Sequence, residues 1–270
     1  MLTDFHEYVY SEAKQRRNFI PDGGINAAIE EWHAKQEDRP WTVASPSRLT
    51  TCPRVVWRRA HNIPVTNPMG WGKKQRMLLG RALEDVIAPQ LGERLLHHWR
   101  DGEDGDSKPF EVGEGDTRIV GTPDLLLKLE GKVVLSDAKT SRADSFGYVP
   151  IEPRDIWKDE GWLKYKLQVE TYYHMCHKNE QWFKDNELPL PEACHLFSYA
   201  LDDGVVKRDI TWTPNIPKEL ILQYAVRFNQ AIKSEPEPAC ECTEHDRKFC
   251  SYASEFETTK SGYKLGVKCC

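Results

Sequence analysis

No stretch of the 270 residues reaches the ~18 consecutive apolar side chains that a helix needs to cross a bilayer. The opening, MLTDFHEYVYSEAKQRRNF, also lacks the short apolar run of an export signal. These two absences predict a soluble, cytoplasmic protein with no membrane association. A basic surplus is missing too: 42 acids outnumber 37 bases, giving a net charge of -5 and a pI near 6.0. Bulk charge therefore does not mark a nucleic-acid binder. No internal repeat recurs along the chain. A disulfide scaffold is excluded by the expected compartment, where thiols stay reduced, so the eight cysteines point to buried thiols or metal ligation.

What is present begins with length, which suffices for one large domain or two small ones with a substantial core. Charge is unevenly spread. From Trp41 to Arg100 there are ten Lys or Arg against three Asp or Glu, whereas from Asp101 to Leu135 there are four against nine. One region suits phosphate, and another concentrates carboxylates.

Periodicity predicts a peripheral helix over INAAIEEWHAKQ, a second over KKQRMLLGRALEDVI ending or kinking at Pro89, and an acidic, Gly-rich loop with one short strand near 101–116. Two β-rich runs follow, TRIVGTPDLLLKL and KVVLSDAKT, separated by Glu130-Gly131, which suits a hairpin turn. A helix over YKLQVETYYHMCHK, strands at CHLFSYAL and VVKRDITWT, and a final helix over PKELILQYAVRFNQAIKS complete the order. EPEPA then reads as a stiff spacer before a cysteine-rich tail. This is the order of a mixed α/β core with appended pieces.

A hairpin turning at Glu130-Gly131 brings Asp124 and Asp137 together, with Lys139 on the face of Asp137. Two carboxylates ~4 Å apart repel by about 4 kcal/mol at an effective dielectric near 20, so such a pair calls for a cation or a proton. A hard divalent metal with oxygen ligands answers that need. The flanking LLLK and VVLS are too apolar for a freely exposed ribbon, which places the acids at the edge of a core. Glu84 offers a third acid, and Gln168 and Tyr172 project from one side of their helix.

Gly80-x-x-x-Glu84, Pro123-Asp124, Asp137-x-Lys139 and Gln168-x-x-x-Tyr172, in that order, resemble the PD-(D/E)XK nuclease superfamily, in its RecB-like branch. The resemblance covers about residues 45 to 255. It implies a restriction-endonuclease-like α/β fold, a mixed sheet flanked by helices, and a phosphodiesterase dependent on Mg²⁺ or Mn²⁺. It further implies that Glu84, Asp124, Asp137 and the Ala138 carbonyl hold the metal, that Lys139 handles the attacking water, and that Gln168 and Tyr172 brace the site or touch the DNA backbone. The implied products are a 5′-phosphate and a 3′-hydroxyl.

SRLTTCPR is similar to the upstream segment of the iron-sulfur subset of that branch, which includes the AddB nuclease domain and the CRISPR-adaptation exonucleases. Cys52 with Cys240, Cys242 and Cys250 then implies a [4Fe-4S] cluster clasping the chain ends. The tail departs from the family spacing: CECTEHDRKFC gives Cys-x-Cys and then seven residues before Cys250, so Cys269 or Cys270 is an alternative to Cys240 or Cys242. Zinc is the chemical alternative to iron-sulfur.

Arg54, Arg58 and Arg59 beside Trp57, and Lys73, Lys74, Arg76 and Arg81 before Glu84, are expected to guide a nucleic-acid strand. His174 and His177 are expected on a solvated turn rather than at a metal, and His97-His98 at the surface. The domains expected are a helical extension over 1–44, a nuclease core over 45–235 and a cluster-binding segment over 236–270. The resulting reading is an exonuclease acting on single strands or DNA ends. Its rivals are an endonuclease, a trimming subunit of a recombination complex, or a non-catalytic DNA-end-binding module. Protein partners in recombination or CRISPR adaptation, and a homo-oligomer, are compatible with it.

Overall fold

The computed structural model describes residues 40–66, 84, 86–99, 109–141, 160–200, 205–242, 250, 252–258 and 264–269, all in the compact unit Pro40–Cys270. The N-terminal helix expected before Pro40, and Lys73, Lys74, Arg76, Gly80, Arg81 and Cys270, lie outside these residues.

The core is a mixed five-stranded sheet flanked by helices, in the order β1-β4-β5-β6-β7. Its strands are β1 (Leu95–His98), β4 (Leu125–Leu129), β5 (Lys132–Ser141), β6 (Ala193–Ala200) and β7 (Val205–Trp212). β5 and β6 run parallel, and the other neighbours run antiparallel. A parallel pair needs a long crossover. Helices α3 (Glu160–Lys178) and α4 (Glu180–Asp185) lie along it. Leu125, Leu126 and Leu127 on β4, and Val133 through Ala138 on β5, are buried without a break, because both faces of this central pair are covered. Alternation still sorts them. Leu126, Val133 and Leu135 enter the core under α3 and α5 (Lys218–Lys233), while Leu125, Leu127, Val134 and Ala138 enter the opposite one.

The β4–β5 hairpin turns at Glu130 and Gly131, whose φ values are 49° and 82°. Positive φ at both central residues is the primed turn whose twist matches the strands, so the EG dipeptide sets the register of everything that follows.

TRIVGTPDLLLKL, expected as one strand, is two. β3 (Ile119–Gly121) pairs with β2 (Phe110–Val112) in a separate ribbon, and the chain re-enters the main sheet at Leu125. β1 corrects the surface reading of His97-His98. Both belong to an edge strand paired with β4, and His97 packs edge-on against Trp99 and Trp182. His174 and His177 lie on α3, and their Nε2 atoms donate to the carbonyls of Ile216 (3.1 Å) and Pro191 (2.9 Å).

α3 is buried without a break from Lys166 to Tyr172. Glu170 takes hydrogen bonds from Trp212 Nε1, the Asn215 and Ile216 backbone N–H groups, and Lys166 Nζ. With every oxygen satisfied, this buried carboxylate locks the rotation of α3. Gln168, two residues from each of Lys166 and Glu170, points to the other side, toward the sheet. Ahead of the core, a 3₁₀ turn (Pro46–Arg48) and helix α1 (Pro53–Ala60) precede a helical stretch, α2, seen at residues 84 and 86–90. A last hairpin, β8 (Ala253–Thr258) with β9 (Lys264–Cys269), occupies a tail in which no strand was expected. Among the described residues no helix is long and apolar enough to cross a membrane.

Candidate active site and thiol cluster

Residue numbers in the β4–β5 ladder pair to a constant sum, from Leu129 with Lys132 to Leu125 with Ser136. One step further along the same ladder, Asp124 stands across from Asp137. The Ala138 N–H donates to Asp124 Oδ2 at 3.2 Å, which fixes that carboxylate against β5. Asp137 is 1 % exposed. Its Oδ1 accepts from Gln168 Nε2 at 2.8 Å, and its Oδ2 lies 2.5 Å from Lys139 Nζ. Lys139 keeps 24 % side-chain exposure and rests 5.1 Å from the ring centre of Tyr165. The ammonium is therefore wedged between a carboxylate and an aromatic face, open at one side.

The electrostatics follow from this crowding. Burial first, then the charges of Asp137 and Glu84, push the Asp124 carboxyl well above the usual carboxylate range, against the pull of Lys139 and the Ala138 N–H. Burial alone would depress the Lys139 ammonium, but the charges of Asp137 and Asp124 and the bond to Asp137 raise it, so it stays cationic. Three carboxylates against one ammonium leave two formal negative charges. That surplus, lined with oxygen donors at the edge of a core, fits a hard divalent cation. Glu84 on α2, Asp124 and Asp137 are the side-chain donors at hand, with the Ala138 carbonyl between Asp137 and Lys139 in sequence.

Tyr172 lies one turn after Gln168 and packs into the core. A Cβ on Gly121 would fall 2.7 Å from Pro46 Cδ and 3.0 Å from the Tyr172 ring. Only a glycine lets these two groups meet over the strand that leads to Asp124. Tyr165 was missed by the sequence reading, and one aromatic on a helix gives no signal that it will cover a lysine from a strand.

The thiols gather elsewhere. Cys52 caps α1, and its Sγ lies with those of Cys240 and Cys242 inside a 4.8 Å group. The Cys242 thiol, opposed by burial and helped by the N–H groups of Glu241, Val55 and Arg54, brings the Cys52 thiol down to about 5. Cys250 is buried beside Tyr252 in a small cluster against which Cys242 packs. Three of the four expected thiols, Cys52, Cys240 and Cys242, thus converge across ~190 residues of chain, in an environment of N–H donors that favours thiolates and hence a thiophilic metal, while Cys250 lies outside that group. On β9 the backbone of Cys269 pairs with Ala253. Cys176 and Cys194 are buried thiols apart from this group, raised by burial and inert.

The arginines of α1 are turned inward. Arg54 Nε donates to the Pro238 carbonyl at 2.9 Å and lies 3.3 Å from Glu237, while Arg58 Nε lies 2.5 Å from the same carboxylate. Trp57 Nε1 donates to the Ser234 carbonyl, and Arg59 lies over the rings of Trp41 and Tyr252. Glu237, in the segment read as a spacer, is therefore an anchor that holds the thiol-bearing tail on α1.

The sequence pattern of the PD-(D/E)XK nuclease superfamily matches residues 26–254. A comparison with curated proteins finds no match. Among solved structures, one titled "Crystal structure of SSO0001" is similar at 16% identity and a TM-score of 0.45, covering 83% of this chain and 94% of its own.

Proposed function

Because the chain belongs to the PD-(D/E)XK nuclease superfamily, which implies metal-dependent nuclease activity on DNA, we propose that it is a RecB-like exonuclease carrying an iron-sulfur cluster. It hydrolyses phosphodiester bonds in single strands or at DNA ends and leaves a 5′-phosphate and a 3′-hydroxyl. The observation that carries this reading is the crowding of Asp124, held by the Ala138 N–H just beyond the β4–β5 ladder, against Asp137, with the Lys139 ammonium held on Asp137.

Glu84, Asp124, Asp137 and the Ala138 carbonyl would hold one or two Mg²⁺ or Mn²⁺ ions. Such an ion, when bound, supplies Lewis acidity and offsets charge on the phosphate. Lys139 is the donor that orients the attacking water, and its raised proton affinity keeps it charged as the phosphate becomes more anionic. Gln168 fixes the Asp137 carboxylate through Oδ1 and leaves Oδ2 beside the Lys139 ammonium. Tyr172 sets the position of α3 relative to the strand before Asp124. Cys52, Cys240, Cys242 and Cys250 would ligate a [4Fe-4S] cluster that ties the tail to α1.

The test incubates end-labelled linear DNA and a circular single strand with Mn²⁺ and the wild-type, Asp137→Ala and Lys139→Ala proteins. Loss of linear DNA from its ends by the wild type alone, with the circle intact, supports the proposal. Equal activity in all three proteins, or none in the wild type, refutes it, and cutting of the circle makes the enzyme an endonuclease. For the cluster, anaerobically purified protein is expected to be brown, with visible absorbance lost in Cys52→Ser. A colourless protein containing zinc would replace iron-sulfur with a structural zinc site.

A further inference from the structure

Arg48 stands apart from the arginines of α1. It ends the 3₁₀ turn Pro46–Arg48, is exposed, and places its guanidinium carbon 4.6 Å from the centre of the Trp41 ring. Trp41 is itself fixed, stacked on the buried Phe228 at 5.9 Å with an 18° interplanar angle. The cation therefore sits on an anchored platform, and little side-chain freedom remains to be lost when it binds something.

Its place is tied to the candidate site from two sides. Pro46, two residues earlier, packs at Gly121, three residues before Asp124. The Tyr172 ring meets the same glycine, and Tyr172 is one turn from the glutamine that holds Asp137. The turn that carries Arg48 thus packs on the helix that braces the carboxylate site.

Its charge is uncompensated. Arg54 and Arg58 share Glu237, but among the described residues no carboxylate reaches Arg48. Its charged neighbour is Arg59, whose guanidinium carbon lies 6.0 Å from the same Trp41 ring. Partial burial and that like charge push the Arg48 guanidinium down from its ordinary value. The Arg48 guanidinium, held on the indole and repelled by a second arginine, would be relieved by an anionic ligand that also forms bidentate hydrogen bonds, as a phosphodiester does.

We propose that Arg48, pre-positioned on Trp41, binds a backbone phosphate of the DNA strand. This rests on the nuclease reading for the identity of the ligand. The contact is to the backbone, so it contributes affinity and register without base preference.

The test measures binding of a fluorescently labelled, single-stranded oligonucleotide by anisotropy, with Ca²⁺ replacing Mn²⁺ to prevent cleavage, across a series of salt concentrations. The proteins are wild type, Arg48→Gln and Arg48→Lys. One lost phosphate contact should flatten the slope of log K against log salt by about 0.7 and weaken binding several-fold at low salt. Arg48→Lys should retain the wild-type slope. An unchanged slope in Arg48→Gln overturns the proposal, as does equal weakening in both variants with no change of slope, which would mark a packing role for the Arg48–Trp41 stack. The two readings separate cleanly. A wild type that binds with an Arg48-dependent slope but cleaves nothing in Mn²⁺ keeps the phosphate contact and loses the nuclease. A wild type that cleaves but shows no Arg48 effect does the reverse, and one that binds no DNA loses the phosphate contact.

Discussion

Asp124→Asn should stabilise the metal-free protein while abolishing cleavage. In the folded state the Asp124 carboxylate faces Asp137 and feels Glu84. One such repulsion at ~4 Å is about 4 kcal/mol at an effective dielectric near 20, and the attraction of Lys139 is of the same order and opposite sign. What survives the cancellation is the burial of a charge with one hydrogen bond, from the Ala138 N–H, which costs at least the ~1–3 kcal/mol of an unsatisfied neutral polar group. Asparagine removes the charge and keeps an oxygen for that N–H. The gain should raise the midpoint of thermal unfolding in EDTA by roughly 2–10 °C for a protein of this size. The pH dependence has a fixed sign. Since the folded carboxyl binds its proton more tightly than the unfolded one, the penalty is full above the folded pKa. It fades as pH falls through that value, and vanishes near the unfolded value of ~4. The advantage of Asn should fade with it. Adding Mn²⁺ should shrink and then reverse the difference, because saturation at 1,000 times Kd contributes about 4.1 kcal/mol to a wild type that can bind the ion. An Asn variant less stable than wild type in EDTA at neutral pH, or a difference indifferent to pH and Mn²⁺, would refute the crowded-carboxylate account.

Gln168→Leu should leave Asp137 Oδ1 buried without its donor, lowering stability by about 1–3 kcal/mol in a urea titration and reducing the cleavage rate more than the affinity for DNA. Gly121→Ala should lose about 1–3 kcal/mol through the clash of the new methyl with Pro46 and Tyr172, read by the same titration, with Gly121→Val worse.

The carboxylate pair was legible because its determinants are local. A two-residue turn at Glu130-Gly131 and a period of two fix which residues face each other, so Asp124 opposite Asp137 and Lys139 beside it follow from counting along the hairpin. Gln168 and Tyr172 were legible as helical neighbours and, through the resemblance, as residues that brace the site, but the contact of Gln168 with Asp137 needed the packing of α3 onto β5. Arg54 and Arg58 looked like strand-guiding cations because nothing in a short window reveals that Glu237, some 180 residues away, will neutralise them. β1 was hidden for a similar reason. LLHH has no alternation of its own and becomes a strand by pairing with β4.

The sequence by itself determined the hairpin, its register, the acids at its edge, and four motifs in an order that identifies the superfamily. These depend on backbone geometry over a few residues and on the chemistry of each side chain. Tertiary structure alone decided which charges are compensated and which are not. Burial beside Asp137 and Glu84 raises the Asp124 carboxyl, Arg54 and Arg58 share Glu237, and among the described residues no carboxylate reaches Arg48 on its tryptophan. The physical reason is that electrostatic energy depends on distance through space and on solvent exclusion, and neither is a property of separation along the chain.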